Sequence, residues 1–117
     1  MKGVYLFLAN GFEETEALAT GDVLKRGGIP VKMVSIYEEK YVTSAHNVTV
    51  AADMTFSEFK SSACAAVSGE HDVMIFPGGM PGSTNLADKK ELMEIMQKHY
   101  AEGGAVAAIC AAPSVVL

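Results

Sequence analysis

Four short apolar runs, at 4–8, 31–35, 73–76 and 106–109, set the strongest limit on how this chain can fold. Each is nearly continuous in hydrophobicity instead of alternating, the pattern of a strand buried on both faces. Between the first two, 14–27 places Ala17, Leu18, Val23 and Leu24 at amphipathic helical spacing. Between the last two, 89–102 puts Leu92, Met93, Ile95 and Met96 on one side and charges on the other. Strand, helix and strand in that order, twice over, predict an α/β fold with a mostly parallel sheet covered by helices. The middle is less regular: 48–50 reads as a short extra strand and 55–66 as a weak helix interrupted at Ser61 and Ser62. With 117 residues, half of them hydrophobic, the chain can build one core and is too short for two. A single domain over 1–117 is expected.

Charge and composition remove several classes of function. The nine Lys and Arg residues are scattered against fourteen Asp and Glu, for a net charge of -5. No basic stripe is available for a nucleic-acid partner. The longest apolar run, 105–112, is far below the roughly 18 residues of a membrane-spanning helix, and Pro113 stops it. Residues 1–9 mimic a leader peptide, but the apolar run is short and gives way to Asn10, Gly11 and three glutamates, so it reads as a first strand. Two cysteines, Cys64 and Cys110, form neither a CxxC pair nor a disulfide framework, which suits a reducing, cytoplasmic address. Cys64, among Ala63, Ala65 and Ala66, reads as structural. The end of the chain, 113–117, looks like the first turn of a helix that stops at apolar Val115, Val116 and Leu117. A natural continuation, or a packing segment from elsewhere, is expected there.

Chemistry concentrates at Cys110. An apolar strand runs through small residues into Cys110, Ala111, Ala112 and Pro113, and proline is well tolerated in a helix's first turn. A cysteine at such a junction points out of the sheet's carboxyl edge, where the amides of the next turn favour a thiolate and donate to a developing oxyanion. The plain alternative is a buried cysteine acting as a small hydrophobe. Two other segments would emerge at the same edge if the strands are parallel. One is Pro77-Gly78-Gly79, whose glycines allow close backbone approach and an oxyanion-hole N–H, with a plain βα loop as the alternative. The other is Gly11-Phe12-Glu13-Glu14-Thr15-Glu16. Its carboxylates would repel a phosphate; Glu13 and Glu14 read as compensation of a helix dipole, whereas Glu16, one turn in, can reach toward the cysteine.

These two segments, taken together with 107–113, closely resemble the ThiJ/PfpI superfamily, in the branch of the human parkinsonism-associated deglycase and its bacterial relatives, of the class I glutamine amidotransferase-like type. The resemblance runs from Met1 to Leu117. It implies a flavodoxin-like three-layer sandwich with a cysteine nucleophile elbow, and it implies that the C-terminal part of the fold lies outside this chain. By the same resemblance Cys110 is the nucleophile, Glu16 its protonated carboxyl partner, and the amides of Gly79 and Ala111 the oxyanion hole, with Gly78 lining the site. Asp22 and Arg26 match positions used around the site or at a dimer contact. His46 falls in a loop that approaches the partner's active site in family dimers, with a solvated loop histidine as the alternative. The protease-like branch has a histidine directly after the nucleophile; Ala111 stands there instead, so a Cys-His peptidase is not supported.

The resemblance implies an enzyme acting on 2-oxoaldehydes, free or as early adducts, through a hemithioacetal on Cys110 with Glu16 as acid and base. No cofactor or metal is expected, since His46, His71 and His99 lack ligand spacing. A redox sensor or stress chaperone working through oxidation of Cys110 is the alternative from another class, and an amidotransferase-like domain dependent on a missing partner is a third. A homodimer is expected from the family.

Overall fold

The computed structural model describes residues 3–63 and 72–117. Four strands, β1 (Val4–Leu8), β2 (Val31–Ser35), β5 (Val73–Phe76) and β6 (Ala105–Ala108), form one sheet in the order β2-β1-β5-β6. Every pairing is parallel, with Val4 opposite both Val31 and Val73, and Phe76 opposite Ala108. The expected parallel α/β architecture is therefore present, and β1 is its centre. Its five residues are all buried because both faces are covered.

Successive side chains of a strand point to opposite faces, so β1 divides the core in two. Val4, Leu6 and Leu8 pack with Phe12, Ala17 and Val31 under helix α1 (Glu14–Arg26). Tyr5 and Phe7 pack with Met74, Phe76, Leu86, Leu92 and Met96 under helices α3 (Gly82–Asp88) and α4 (Lys90–Ala101). Phe7 stacks on Phe76 at 5.4 Å and meets Phe59 edge-on at 5.0 Å.

Helix α1 begins where the sequence supplies a cap. The Glu13 side chain accepts from the Thr15 N–H, Glu14 and Glu16 occupy the first turn, and Lys25 and Arg26 the last, each favourable to the helix dipole. Its buried stripe differs from the expected one: Ala17 and Gly21 are buried, whereas Val23 is 65% exposed. At about 100° per residue, position 23 lies on the opposite side from 17 and 21. The Met33 side chain fills the space at Gly21, where a Cβ would come within 2.6 Å of its methyl.

The irregular middle contains more order than its sequence suggests. A hairpin of β3 (Tyr41–Thr43) and β4 (Thr49–Ala51) replaces the single extra strand. Its turn is tied by Ser44 Oγ, which accepts from the N–H groups of His46 and Val48. The expected weak helix is helix α2 (Phe56–Glu58) followed by one π-helical turn (Phe59–Ala63); 64–66 lie outside the described residues, Cys64 among them, as does His71. Thr55 and Glu58 form a reciprocal capping box at its start.

Strand β6 corrects one expectation. Read as buried on both faces, it is only half buried, with Ala105 and Ala107 exposed, because it forms the edge of the sheet. Tyr100, Ile109 and Leu117 are exposed nearby, and Met93, Met96, Tyr100, Val106, Val115 and Leu117 line an apolar groove. Among the described residues no helix is long and apolar enough to cross a membrane.

Candidate active site

Because β1, β5 and β6 are parallel and in register, their carboxyl ends deliver three loops to one edge of the sheet. From β6 the chain turns sharply at Cys110 into helix α5 (Ala112–Val115), with Pro113 in its first turn. Cys110 has φ of 60°, a left-handed conformation unusual for any residue but glycine, asparagine or aspartate. Such strain, of order 1–3 kcal/mol, persists where surrounding structure enforces it, and it is the geometry of a nucleophile elbow. The thiol is free and Cys110 is exposed, so the small-hydrophobe alternative does not describe it.

From β5 comes Pro77-Gly78-Gly79, and here the packing is tightest. The Gly78 N–H donates to Glu16 Oε1 at 3.0 Å, a bond spanning 62 positions of sequence. A Cβ on Gly78 would lie 2.5 Å from that oxygen, 2.7 Å from Cys110 Cβ and 2.9 Å from the Ile109 carbonyl. Only glycine leaves room for the carboxyl and the elbow to approach the same backbone. Gly79, at φ of 98°, turns the loop toward β1; a Cβ there would overlap the Glu13 N–H. Past the cis Met80–Pro81 bond, the loop enters α3.

From β1 comes the turn that carries Glu16. Gly11, at φ of 88°, accepts at its carbonyl from the Gly82 N–H at 3.1 Å, and the Glu13 N–H donates to the Gly78 carbonyl at 2.9 Å. Two loops thus grip each other through their backbones. The hairpin closes the other side, with Gly11 donating to Thr43 and Ala45 donating to Phe12.

Not all expected site residues gather here. Glu16, Gly78 and Cys110 converge, with Gly79 and Ala111 adjacent in the chain. Within this chain His46 meets the start of α1, its Nδ1 lying 2.7 Å from Glu14 Oε1 and 3.9 Å from Glu13 Oε2. Glu14 is held below the ordinary carboxylate value, first by its own backbone N–H, against a smaller desolvation effect, and then by Ser44 and His46. Ligand-capable atoms of Glu13, Glu14 and His46 all lie within 4.8 Å of one another, a grouping able to hold a metal ion that no sequence spacing announces. Asp22 and Arg26 pair with each other at 3.0 Å on an exposed face of α1. Along the helix they stand about 9 Å and about 15 Å from Glu16. Asn10 and Asn85, which meet beside these loops, lie in no sequence pattern that singles them out.

A parallel sheet with a strained, exposed cysteine at one strand's carboxyl end, sharing its approach to Gly78 with a glutamate, defines a class: α/β proteins built around a cysteine elbow. Comparison with known proteins narrows it. Residues 2–117 match the DJ-1/PfpI family, and the chain belongs to that family. It is 32% identical over 113 residues to protein DJ-1alpha of Drosophila melanogaster, covering 97% of this chain and 49% of that one. A glutathione-independent glyoxalase, DJR-1.2 of Caenorhabditis elegans, is 34% identical over 105 residues, covering 90% and 52% of the two chains. The solved structure of Toxoplasma gondii DJ-1, in oxidized form, superposes with a TM-score of 0.86 at 34% identity, covering 97% of this chain and 58% of that one. The chain spans about half the length of these curated relatives.

Proposed function

We propose that Cys110 is the nucleophile of a cysteine-dependent, cofactor-free reaction on 2-oxoaldehydes, of the glyoxalase or deglycase type. The observation that carries this reading is the shared approach of Glu16 Oε1 and Cys110 Cβ to the space where Gly78 has no side chain. A carboxyl and a sulfur placed so can exchange protons with a substrate bound between them. The family and the glyoxalase relative support the same reading.

The Cys110 thiolate adds to the aldehyde carbon, and the resulting oxyanion is held by the amides of Gly79 and Ala111. Glu16 donates a proton to that oxygen, giving a hemithioacetal. It then takes the hydrogen from the same carbon as a proton and returns it to the neighbouring carbon, while the hemithioacetal hydroxyl passes its proton to the ketone oxygen, so that the first oxygen becomes the thioester carbonyl and the second a hydroxyl. The product is a thioester of a 2-hydroxy acid. Water cleaves it, releasing the acid and restoring the thiol. Glycated amines or thiols would enter as adducts of the same aldehydes. The reading places the reaction in a cytoplasmic homodimer, completed by the C-terminal part of the family fold.

Methylglyoxal consumption by the purified protein, followed with Cys110→Ala beside it, tests this. An inert parent protein, or a variant as active as the parent, would overturn it.

The exposure of Cys110 favours a second reading, oxidation of the thiolate to a sulfinate in a redox sensor or stress chaperone. The oxidized form of the Toxoplasma gondii relative belongs with it. Mass analysis of Cys110 after mild peroxide, set beside aldehyde turnover, separates the two. The amidotransferase-like alternative gains no such support, and Ala111 in place of a histidine counts against a peptidase.

A further inference from the structure

The two loops that hold Glu16 and Gly78 are joined by more than backbone. Asn85, on the first helical turn beyond the glycine loop, donates from Nδ2 to the Asn10 carbonyl at 2.8 Å. From there a series of bonds leads toward the sulfur: Gly82 to Gly11, Glu13 to Gly78, and Gly78 to the Glu16 carboxyl. Asn10 is fastened on its far side as well, its N–H donating to Tyr37 Oη at 3.1 Å and its Oδ1 accepting from the Thr43 N–H at 3.0 Å. The β1–α1 turn is therefore clamped between the hairpin and α3. Of the bonds on the α3 side between the two loops, those from Gly82 and Glu13 are backbone to backbone and use no side-chain atom. The Asn85 amide is the one that depends on a side chain away from the reacting groups.

We propose that Asn85 is a positioning residue: by holding the Asn10 carbonyl against α3, it sets where the Glu16 carboxyl stands relative to Cys110. This rests on the reading of Cys110 and Glu16 given above. Of the titratable groups on the neighbouring turns, Glu13 and Glu14 face His46, and the Tyr37 hydroxyl faces the Asn10 N–H.

The test is the pH profile of Cys110 alkylation by iodoacetamide in the full chain, in a Cys64→Ser background so that a single thiol reports. Asn85→Asp puts an oxygen where the donor was, and Asn85→Ala removes it. Both are expected to displace the profile and to slow alkylation at pH 6 by roughly three- to tenfold, the effect of one net hydrogen bond. Thermal midpoints should stay close to the parent's, and Asn85→Gln, which retains the amide, should recover most of the rate. Glu16→Gln serves as the reference. If it displaces the profile while Asn85→Asp and Asn85→Ala do not, the positioning role is wrong and the site stands. If Glu16→Gln leaves the profile unchanged, the reading of the site fails and this inference fails with it. Equal slowing in the Asp, Ala and Gln variants would mark a merely structural asparagine and also overturn the proposal.

Discussion

Glu16 and Cys110, separated by most of the chain, approach the same vacant position on Gly78: the carboxyl oxygen is 2.5 Å and the cysteine Cβ 2.7 Å from where a methyl would be. Three strand ends meet there because the sheet is parallel. A methyl group at that point therefore tests the arrangement more directly than removal of either functional group.

Gly78→Ala is expected to displace the Glu16 carboxyl or the elbow, since neither the Ile109 carbonyl nor Cys110 Cβ can move without moving backbone. A shift near 1 Å can cost on the order of 100-fold in activity. Methylglyoxal turnover and the Cys110 alkylation rate should both fall by far more than the thermal midpoint suggests.

Far from the site, Gly104→Ala should destabilise the fold. A Cβ on Gly104 would overlap the ring of buried His99, whose Nε2 donates to the Ala105 carbonyl at 2.8 Å. Overpacking of this kind costs about 1–3 kcal/mol, read as a lower urea midpoint at an unchanged slope.

Phe7→Ala removes a fully buried ring that touches both Phe59 and Phe76. A loss of about 3–5 kcal/mol is expected in urea unfolding, because the sheet and helices can close only part of the cavity.

Acid should weaken the start of α1. Glu14, Glu58 and Glu91 are all held below the ordinary value of 4.5, Glu14 and Glu58 chiefly by backbone N–H groups and Glu91 chiefly by Lys60. A carboxyl lowered in the folded state contributes stability above its unfolded value and loses that contribution as pH falls toward the folded one. Thermal midpoints should therefore decline below about pH 4.5, the ordinary carboxylate range. Glu14→Gln should flatten part of that decline while lowering the midpoint at pH 7.

The apolar runs and helical spacings determined the parallel sheet, the two strand-helix-strand units and the placement of Cys110 at an elbow, because hydrophobic periodicity reports burial directly. The resemblance supplied the pairing of Cys110 with Glu16. Tertiary structure decided the rest. The hairpin at 41–51 has strands too short to leave a pattern, and its order comes from Ser44, Asn10 and the turn it grips. Val23 is apolar yet exposed because helix phase, not composition, decides which side meets the sheet. Strand β6 is apolar yet half open because its position at the sheet's edge is a property of strand order. His46 meets Glu14, and Asn85 meets Asn10 across 75 positions, through contacts between loops that share no local pattern. Local sequence governs local conformation and burial, whereas which loops meet depends on the order in which the strands pair.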